Sequence, residues 1–478
     1  MRPQPSERIL VPPKLGALLE LTGWLLTAAA GVLLVAFGLL SEEGCIWLAT
    51  LMLVTLLFVS WRRFDGGLHP CFLFLGMLII FQAGRPIAHV LGMLPDPMQI
   101  DVATAIPFTI SAQAGEMTLL LIVLSGILVY IPCRLGFRPV TYNPGREMRW
   151  LPALYVLVLL TFPFALYKNW SYFAFIRAHG GYLAVYTDNA AVLQSAGTMV
   201  RTIALVNSTA LLIAYVFERR RKRIFALLAL YFALSTLDLL IGFRGKFFAQ
   251  ALGLWYIHKL KTGRRFNLLP LLSLAVVISL VAIVVAGFRQ DQAIQLLSPI
   301  GFLAQQGVSL NVTEAAVAFH HIFSRYGAAY VFWGFANAAG NPVASGTHRL
   351  WTVDLTTFLN PTAQQLGFGT ASSYLAELYL FGGITATSIG SLAIGCCLEG
   401  LHRISSEAKG ALLLAILLPT IIYLPRSELL APLGFLVKST ISFVAIAVLV
   451  LMIDAGLRML RFGIGHAAHA ARLPVIDP

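Results

Sequence analysis

Charge is scarce in this chain. Only 12% of its 478 residues are Asp, Glu, Lys or Arg, against ~25% in an ordinary soluble protein. With 58% hydrophobic residues, too little polar surface exists to solvate a globule of this length. Cysteine is scarce as well: Cys45, Cys71, Cys133, Cys396 and Cys397 form no C-x-x-C pair, so neither a disulfide framework nor a zinc site is readable. The sequence lacks G-x-x-x-x-G-K-[ST], H-E-x-x-H and any D-x-D pair, which excludes a fused ATPase domain and the familiar zinc and nucleotide-sugar metal sites. No repeat relates the two halves, which weakens a repeat-built transporter.

What the chain has in abundance is long apolar runs, with a mean hydropathy of +0.81. Stretches able to span a bilayer are read at 15–40, 46–60, 70–93, 117–132, 151–167, 198–217, 224–242, 246–257, 268–287, 371–400, 410–424 and 433–457. The expected fold is an all-α polytopic membrane protein of about twelve transmembrane helices. The first run is much longer than the ~7–15 apolar residues of a signal-peptide core and is expected to remain as an anchor. The net charge of +13 is sided. Placing the N-terminus inside gathers 23 of the 34 Lys and Arg on the inner face, including the run Arg219 to Arg223, whereas the outer loops 94–116 and 168–197 hold only Lys168 and Arg177. The basic run is a topology anchor, and a nucleic-acid partner is excluded.

Two places break the pattern. At Ile241-Gly242-Phe243-Arg244-Gly245-Lys246 a Gly-x-x-Gly turn at the outer face divides 224–257 into two spans. The 83-residue segment 288–370 forms a large, partly helical outer loop, carrying Arg289, Asp291, Glu314, His320, His321, Arg325, Arg349, Trp351 and Asp354. Within it, Gln305 to Phe323 has the spacing of an amphipathic helix lying at the membrane surface. The chain therefore divides into 1–287 (nine spans), 288–370 (outer loop) and 371–478 (three spans and an inner tail).

Arginines at the outer membrane edge are the most informative residues. Arg244, Arg289 and Arg426 sit at span ends opposite the inner basic bias, where a guanidinium is costly unless it snorkels or is paired. Each taken singly serves as a helix-end anchor equally well. As a set they suit a bidentate clamp on an anionic headgroup such as a diphosphate. Arg85, in Gln82-Ala83-Gly84-Arg85-Pro86, and the intramembrane Asp238 are placed to line the same cavity, although Asp238 also suits an internal partner for a span-edge arginine. Glu377, at the outer entrance of its span, is an unpaired carboxylate in need of a reason. Asp454 and Arg458 form a structural i, i+4 pair. The sequons at Asn169, Asn207 and Asn311 carry little weight.

The turn Gly242-Phe243-Arg244-Gly245, the Gly287-Phe288-Arg289 opening of the outer loop, the stretch from Gly367-x-Gly369-Thr370 to Glu377-x-Tyr379-x-Phe381-Gly382, and Pro425-Arg426-Ser427-Glu428 together resemble the bacterial Wzy-type O-antigen and exopolysaccharide polymerases. The likeness covers roughly 200–440, and the first half matches only as a series of spans. The resemblance implies a lipid-linked glycosyltransferase of the bacterial inner membrane, active at its periplasmic face. Such an enzyme transfers a growing glycan from undecaprenyl diphosphate to the non-reducing sugar of a new lipid-linked repeat unit. It implies no cofactor, and as partners the lipid-linked donor and acceptor, membrane lipids and a chain-length regulator protein. A base must deprotonate the acceptor hydroxyl, for which Glu377, Asp354, His348 and the His320-His321 pair are candidates. An O-antigen ligase shares the reaction with a different acceptor, and a polytopic transporter of an anionic or lipid-linked substrate shares the many spans without needing the 83-residue outer loop.

Overall fold

The computed structural model describes residues 13–64, 66–94, 96–97, 111–143, 149–179, 189–241, 244–263, 299–339, 350–365 and 370–470. The helices before the outer segment are α1 (Pro13–Ala36), α2 (Glu42–Arg63), α3 (Pro70–Leu78), α4 (Gly84–Val90), α5 (Ala112–Gly136), α6 (Leu151–Ala178), α7 (Asn189–Ser195), α8 (Thr198–Phe217), α9 (Arg221–Ile241) and α10 (Arg244–Thr262). The outer segment holds α11 (Pro299–Gln306), α12 (Ser309–Ala318), α13 (His320–Phe323), α14 (Gly327–Ala339), α15 (Trp351–Leu359) and α16 (Pro361–Gln365). The chain then continues through α17 (Tyr374–Ile404), α18 (Ala408–Ile422) and α19 (Ala431–Ala470). Among the described residues there is no strand, and nine helical stretches are long and apolar enough to cross a membrane. Two more expected spans are α9 and α10, on either side of residues 242–243 of the expected turn, which lie outside the described residues, as does the expected span 268–287.

The basic helix ends gather in one layer. The Glu20 carboxylate of α1 takes Arg63 at 2.9 Å and Arg134 at 3.5 Å, and accepts the Tyr130 hydroxyl at 2.6 Å. The Lys261 ammonium caps α8, donating to the carbonyls of Tyr215, Val216 and Glu218 at 2.5, 3.1 and 2.8 Å, where a helix leaves its last carbonyls unpaired. In the same layer, His69 caps α3 by accepting the Cys71 N–H on Nδ1. That bond fixes the tautomer, so Nε2 donates to Glu399 at 3.0 Å. Burial holds His69 down to about 3, and the contact is a hydrogen bond to a neutral ring. Glu399 also accepts from Arg403 at 2.6 Å. Asp454 and Arg458 pair at 2.6 Å, as their spacing predicts.

Close helix crossings rest on small residues. On α17, a Cβ at Gly395 would lie 2.4 Å from the Val129 carbonyl oxygen and 3.1 Å from the Pro132 ring of α5, while Ser125 of α5 bonds both Tyr374 and Ser391 of α17, at 2.6 and 2.7 Å. Helix α17 is broken at Gly382-Gly383, where Gly383 has φ +62°, and Gly327 of α14 packs against the Leu380 carbonyl just before the break. Two sequon asparagines bridge helices instead of facing solvent: Asn169 donates to Leu234 O and Asn207 to Val158 O. The third, Asn311, is also buried.

Gly395→Ala is expected to destabilise the protein by about 1–3 kcal/mol, the usual cost of overpacking, and to lower its melting temperature in detergent. Gly400→Ala, on the same helix with nothing within 4 Å of the added atom, serves as the control. Equal melting temperatures for both variants and the parent would show that the α5–α17 crossing is not close-packed.

Candidate functional site

The opposite ends of α3 and α18 carry a different arrangement. Pro86 lacks an N–H and its ring crowds the carbonyl four residues back, and just there the helix widens into a π turn at Ile79–Ala83. Gln82 in that turn is fully buried, and its amide joins three other elements. Nε2 donates to the Pro425 carbonyl at 2.7 Å and to Ser373 Oγ at 3.0 Å, and Oε1 accepts from the Thr313 hydroxyl at 3.1 Å. Thus the turn 424–426 after α18, the cap of α17 and the outer-segment helix α12 are all fixed to one side chain.

Arg85 and Arg426 meet around the junction of α11 and α12. Gly84 and Gly307 make the approach possible: a Cβ on Gly84 would lie 2.5 Å from Leu303 O, and one on Gly307 would lie 2.5 Å from the Arg85 nitrogen. Arg85 is buried and donates Nε–H to Pro97 O at 3.0 Å. Arg426 donates from Nη1 to the backbone and side-chain oxygens of Gln306 at 3.1 and 3.3 Å, with its guanidinium 5.5 Å over the Phe81 ring. Two of the sequence-predicted arginines therefore share one locality. Arg289 and His348 lie outside the described residues, and Asp238 and Arg244 are placed by backbone alone, within α9 and at the start of α10.

The carboxylate expectations need correction in part. Glu377 is not unpaired: it is 1% exposed, accepts Ser372 Oγ–H on Oε1 at 2.9 Å and the Leu429 N–H on Oε2 at 2.8 Å, and so ties α17 to the turn before α19. Asp354, on α15, accepts the Tyr330 hydroxyl at 2.8 Å beside a second apolar cluster that includes Tyr330, Trp351 and Phe323. His320 meets the Tyr379 ring edge-on at 5.1 Å, and His321 is exposed.

The comparison with family models decides the wider identity: the model described as O-antigen polysaccharide polymerase Wzy matches residues 26–455. The chain belongs to the Wzy family. No curated protein and no solved structure matches it. Membership makes this a membrane-embedded polymerase of O-antigen repeat units, acting on lipid-linked oligosaccharides.

For a Wzy polymerase the buried polar residues at this end matter most, and sequence reasoning assigned none of Gln82, Gln306, Thr313, Glu314 and Ser373 to the site. Nor is Gln305 to Phe323 one surface helix. It breaks at Gly307-Val308 and at Phe319, and on α12 every residue from Ser309 to Ala316 is buried, packed against α5, α17 and the π turn. The polar side read as solvent-facing instead meets protein. Glu314 accepts Asn311 Nδ2–H at 3.2 Å, while Glu314 Oε1, Asn311 Oδ1 and Ser309 Oγ have no hydrogen-bond partner among the described residues. Burial pushes the Glu314 carboxyl up to about 8, with Asn311 and Arg85 opposing it and Asp96 and Glu42 adding to it. A sequence signal for these residues did exist, since uncharged polar side chains inside apolar runs are costly unless paired.

His69, Cys71 and Cys133 come within 4.8 Å of one another in the basic layer, a grouping their sequence spacing conceals. His69 is bonded through both ring nitrogens and Cys133 donates to Gly395 O at 3.3 Å, so the group is a satisfied knot as it stands.

Gln82→Leu should leave Ser373, Thr313 and the Pro425 carbonyl short of partners, at about 1–3 kcal/mol for each buried group that stays unpaired. The melting temperature should fall, and polymer formation should fall with it because the Pro425-Arg426 turn is released. An unchanged melting temperature together with full-length polymer would show that the amide is not the tie.

Proposed function

We propose that the chain polymerises undecaprenyl-diphosphate-linked repeat units at the periplasmic face of the bacterial inner membrane, with the diphosphate of the donor held by Arg85 and Arg426 together with Arg244 and Arg289. The observation that carries this is the convergence of Arg85 and Arg426 on residues 306–307, at the end of the bundle opposite the layer of basic helix ends. Positive-inside topology puts that basic layer in the cytoplasm. Among the described residues Arg426 hydrogen-bonds only to neutral oxygens, which leaves its charge available to an anion. Asp238 completes the cavity as an internal partner of the span-edge arginines.

An apolar groove of about 360 Å³ between α1, α2 and α5, lined by Leu25, Val32, Met52, Leu120, Leu124 and Ile384, supports a site for a polyprenyl tail. The donor glycan passes to the acceptor sugar and undecaprenyl diphosphate leaves, its developing charge stabilised by guanidinium forks rather than by a divalent metal. Glu377, Asp354 and His348 are the bases proposed from sequence for the acceptor hydroxyl. The outer segment 288–370, between membrane units 1–287 and 371–478, handles the sugars, and a chain-length regulator binds the assembled enzyme. No observation favours the ligase or transporter alternatives.

Deleting the gene should leave surface glycan as single repeat units; intact polymer would refute the function. Because the planar fork is what matters, Arg85→Lys and Arg426→Lys should shorten or abolish the polymer at normal protein levels. The parent enzyme in liposomes should keep working in excess EDTA. Full-length polymer from both variants, or activity lost to EDTA and restored by Mg²⁺ or Mn²⁺, would refute the clamp or its metal independence respectively.

Sidedness has its own test. A cysteine replacing Ser345 should react with a membrane-impermeant thiol reagent in cells with a permeabilised outer membrane, whereas one replacing Thr262 should not. The reverse labelling pattern would invert the topology.

A further inference from the structure

Glu314 carries the strongest unexplained chemistry in the molecule. It is fully buried, on a helix whose residues Ser309 to Ala316 are all buried, and one of its two carboxylate oxygens has no hydrogen-bond partner among the described residues. A buried carboxylate oxygen without a partner is rare and needs a reason, such as a catalytic role or a bound group. Fold stability does not supply one, because an unpaired polar atom in a low-dielectric interior weakens the protein. Asn311, one helical turn earlier, donates to the other oxygen, and its own Oδ1 has no partner among the described residues. Two unmet acceptors thus sit together on one face of α12, a surface fit to receive hydroxyl donors.

The surroundings point the same way. The charged groups acting on Glu314 are the buried Arg85 of α4, the exposed Asp96 of the following loop and the exposed Glu42 of α2. Of the other helices packed on α12, α5 and α17 carry Glu116 and Glu377 near their starts, and α13 carries His320 and His321. Glu314 therefore lies inward of a solvent-facing rim and near Arg85, one of the arginines of the proposed diphosphate clamp. Glu377 differs: both of its oxygens are already engaged.

We propose that Glu314 is the catalytic base, its unpartnered Oε1 taking the proton of the acceptor sugar hydroxyl while Asn311 Oδ1 receives a neighbouring sugar hydroxyl as a hydrogen bond. This assignment rests on the polymerase function proposed above. The acceptor O–H bond breaks as its oxygen attacks the anomeric carbon of the donor. The bond from that carbon to the diphosphate oxygen breaks in turn, and its electron pair leaves with undecaprenyl diphosphate against Arg85 and Arg426. The proton on Glu314 then passes to solvent or to the departing diphosphate, restoring the carboxylate.

Glu314→Gln keeps the shape and the contact with Asn311 but cannot take a proton. It should lower turnover by 100-fold or more, the usual scale of general-base catalysis. The apparent KM for the lipid-linked repeat unit, extracted from the deletion strain, and the detergent melting temperature should stay near the parent's. Glu314→Asp should restore part of the loss. With its carboxyl raised by burial, the parent's kcat/KM should rise with pH through about 8 and level off above it, since the base acts deprotonated and kcat/KM reports the enzyme before donor binds, and the Gln variant should lose that limb. Turnover within a few-fold of the parent in Glu314→Gln overturns the assignment, as does a fall matched by a lower melting temperature that Glu314→Asp does not reverse. Should the Gln variant fail to accumulate, a flat parent profile between pH 6 and 9 overturns it. Intact polymer in the deletion strain is a different outcome and overturns the polymerase function itself.

Discussion

A polar group inside an apolar bundle has no water to turn to and must find its partner on another helix. Gln82 meets this demand for four segments at once, and the geometry of the outer end depends on it. Its amide has two donor and two acceptor positions, and three of its bonds go to elements far apart in the chain. The π turn supplies the placement. An added residue in that turn rotates α4 relative to α3, so Arg85, three residues on from Gln82, is turned toward the α11–α12 junction. Arg426 arrives at the same junction because Pro425, its neighbour, is held by Gln82.

The two ends of the bundle treat charge differently. In the basic layer several cations have internal counterparts: Lys261 sits on the open carbonyls of α8, Arg403 on Glu399 and the Gly136 carbonyl, Arg63 and Arg134 on Glu20. Such charges anchor helices and have little left to offer a ligand. Among the described residues Arg426 has only uncharged oxygens and an aromatic face as partners. These are modest interactions that a phosphate oxygen can outcompete, because a charge-assisted bidentate contact is roughly twice as strong.

Most of the helical architecture was legible in the sequence because burial in lipid demands long uninterrupted apolar runs, and the expected spans from 15 to 257 and from 371 to 457 coincide with helices. The arginines were legible as residues in costly places, but which of them meet was not, since that depends on the π turn and on glycines at 84 and 307. The α12 segment shows the limit more sharply. Val308, Val312, Ala315, Ala316 and Phe319 form an apolar stripe, and a stripe is ordinarily read as one buried face with the other in water. Here Ser309, Asn311, Thr313 and Glu314 are buried too, with Thr313 answered by Gln82. Periodicity records where apolar side chains lie and is silent on whether polar ones face water or a polar cavity. Glu377 looks unpaired along the sequence for the same reason, its partners Ser372 and the Leu429 N–H being set by the fold.

Arg85 links the two halves of the proposed chemistry. In the structure it is one of the interactions that favour the ionised form of Glu314, opposing the desolvation that favours the protonated one. A diphosphate bound at Arg85 and Arg426 brings negative charge close to the same carboxylate and neutralises the cation beside it. Both changes raise the proton affinity of Glu314, so in the fraction of molecules whose Glu314 is ionised the carboxylate becomes a stronger base once the leaving group is seated. As the anomeric bond breaks, charge grows on the diphosphate and is met by the guanidinium groups, while the proton released by the acceptor is met by Glu314. Negative charge lost at Glu314 thus reappears on the diphosphate, with Arg85 near both, so no net charge is created in a medium where separated charge is expensive. The coupling also gives burial a purpose. A carboxylate in water would start with a proton affinity too low to gain much from the donor, whereas one already raised by desolvation lies within reach of the pH at which the enzyme works.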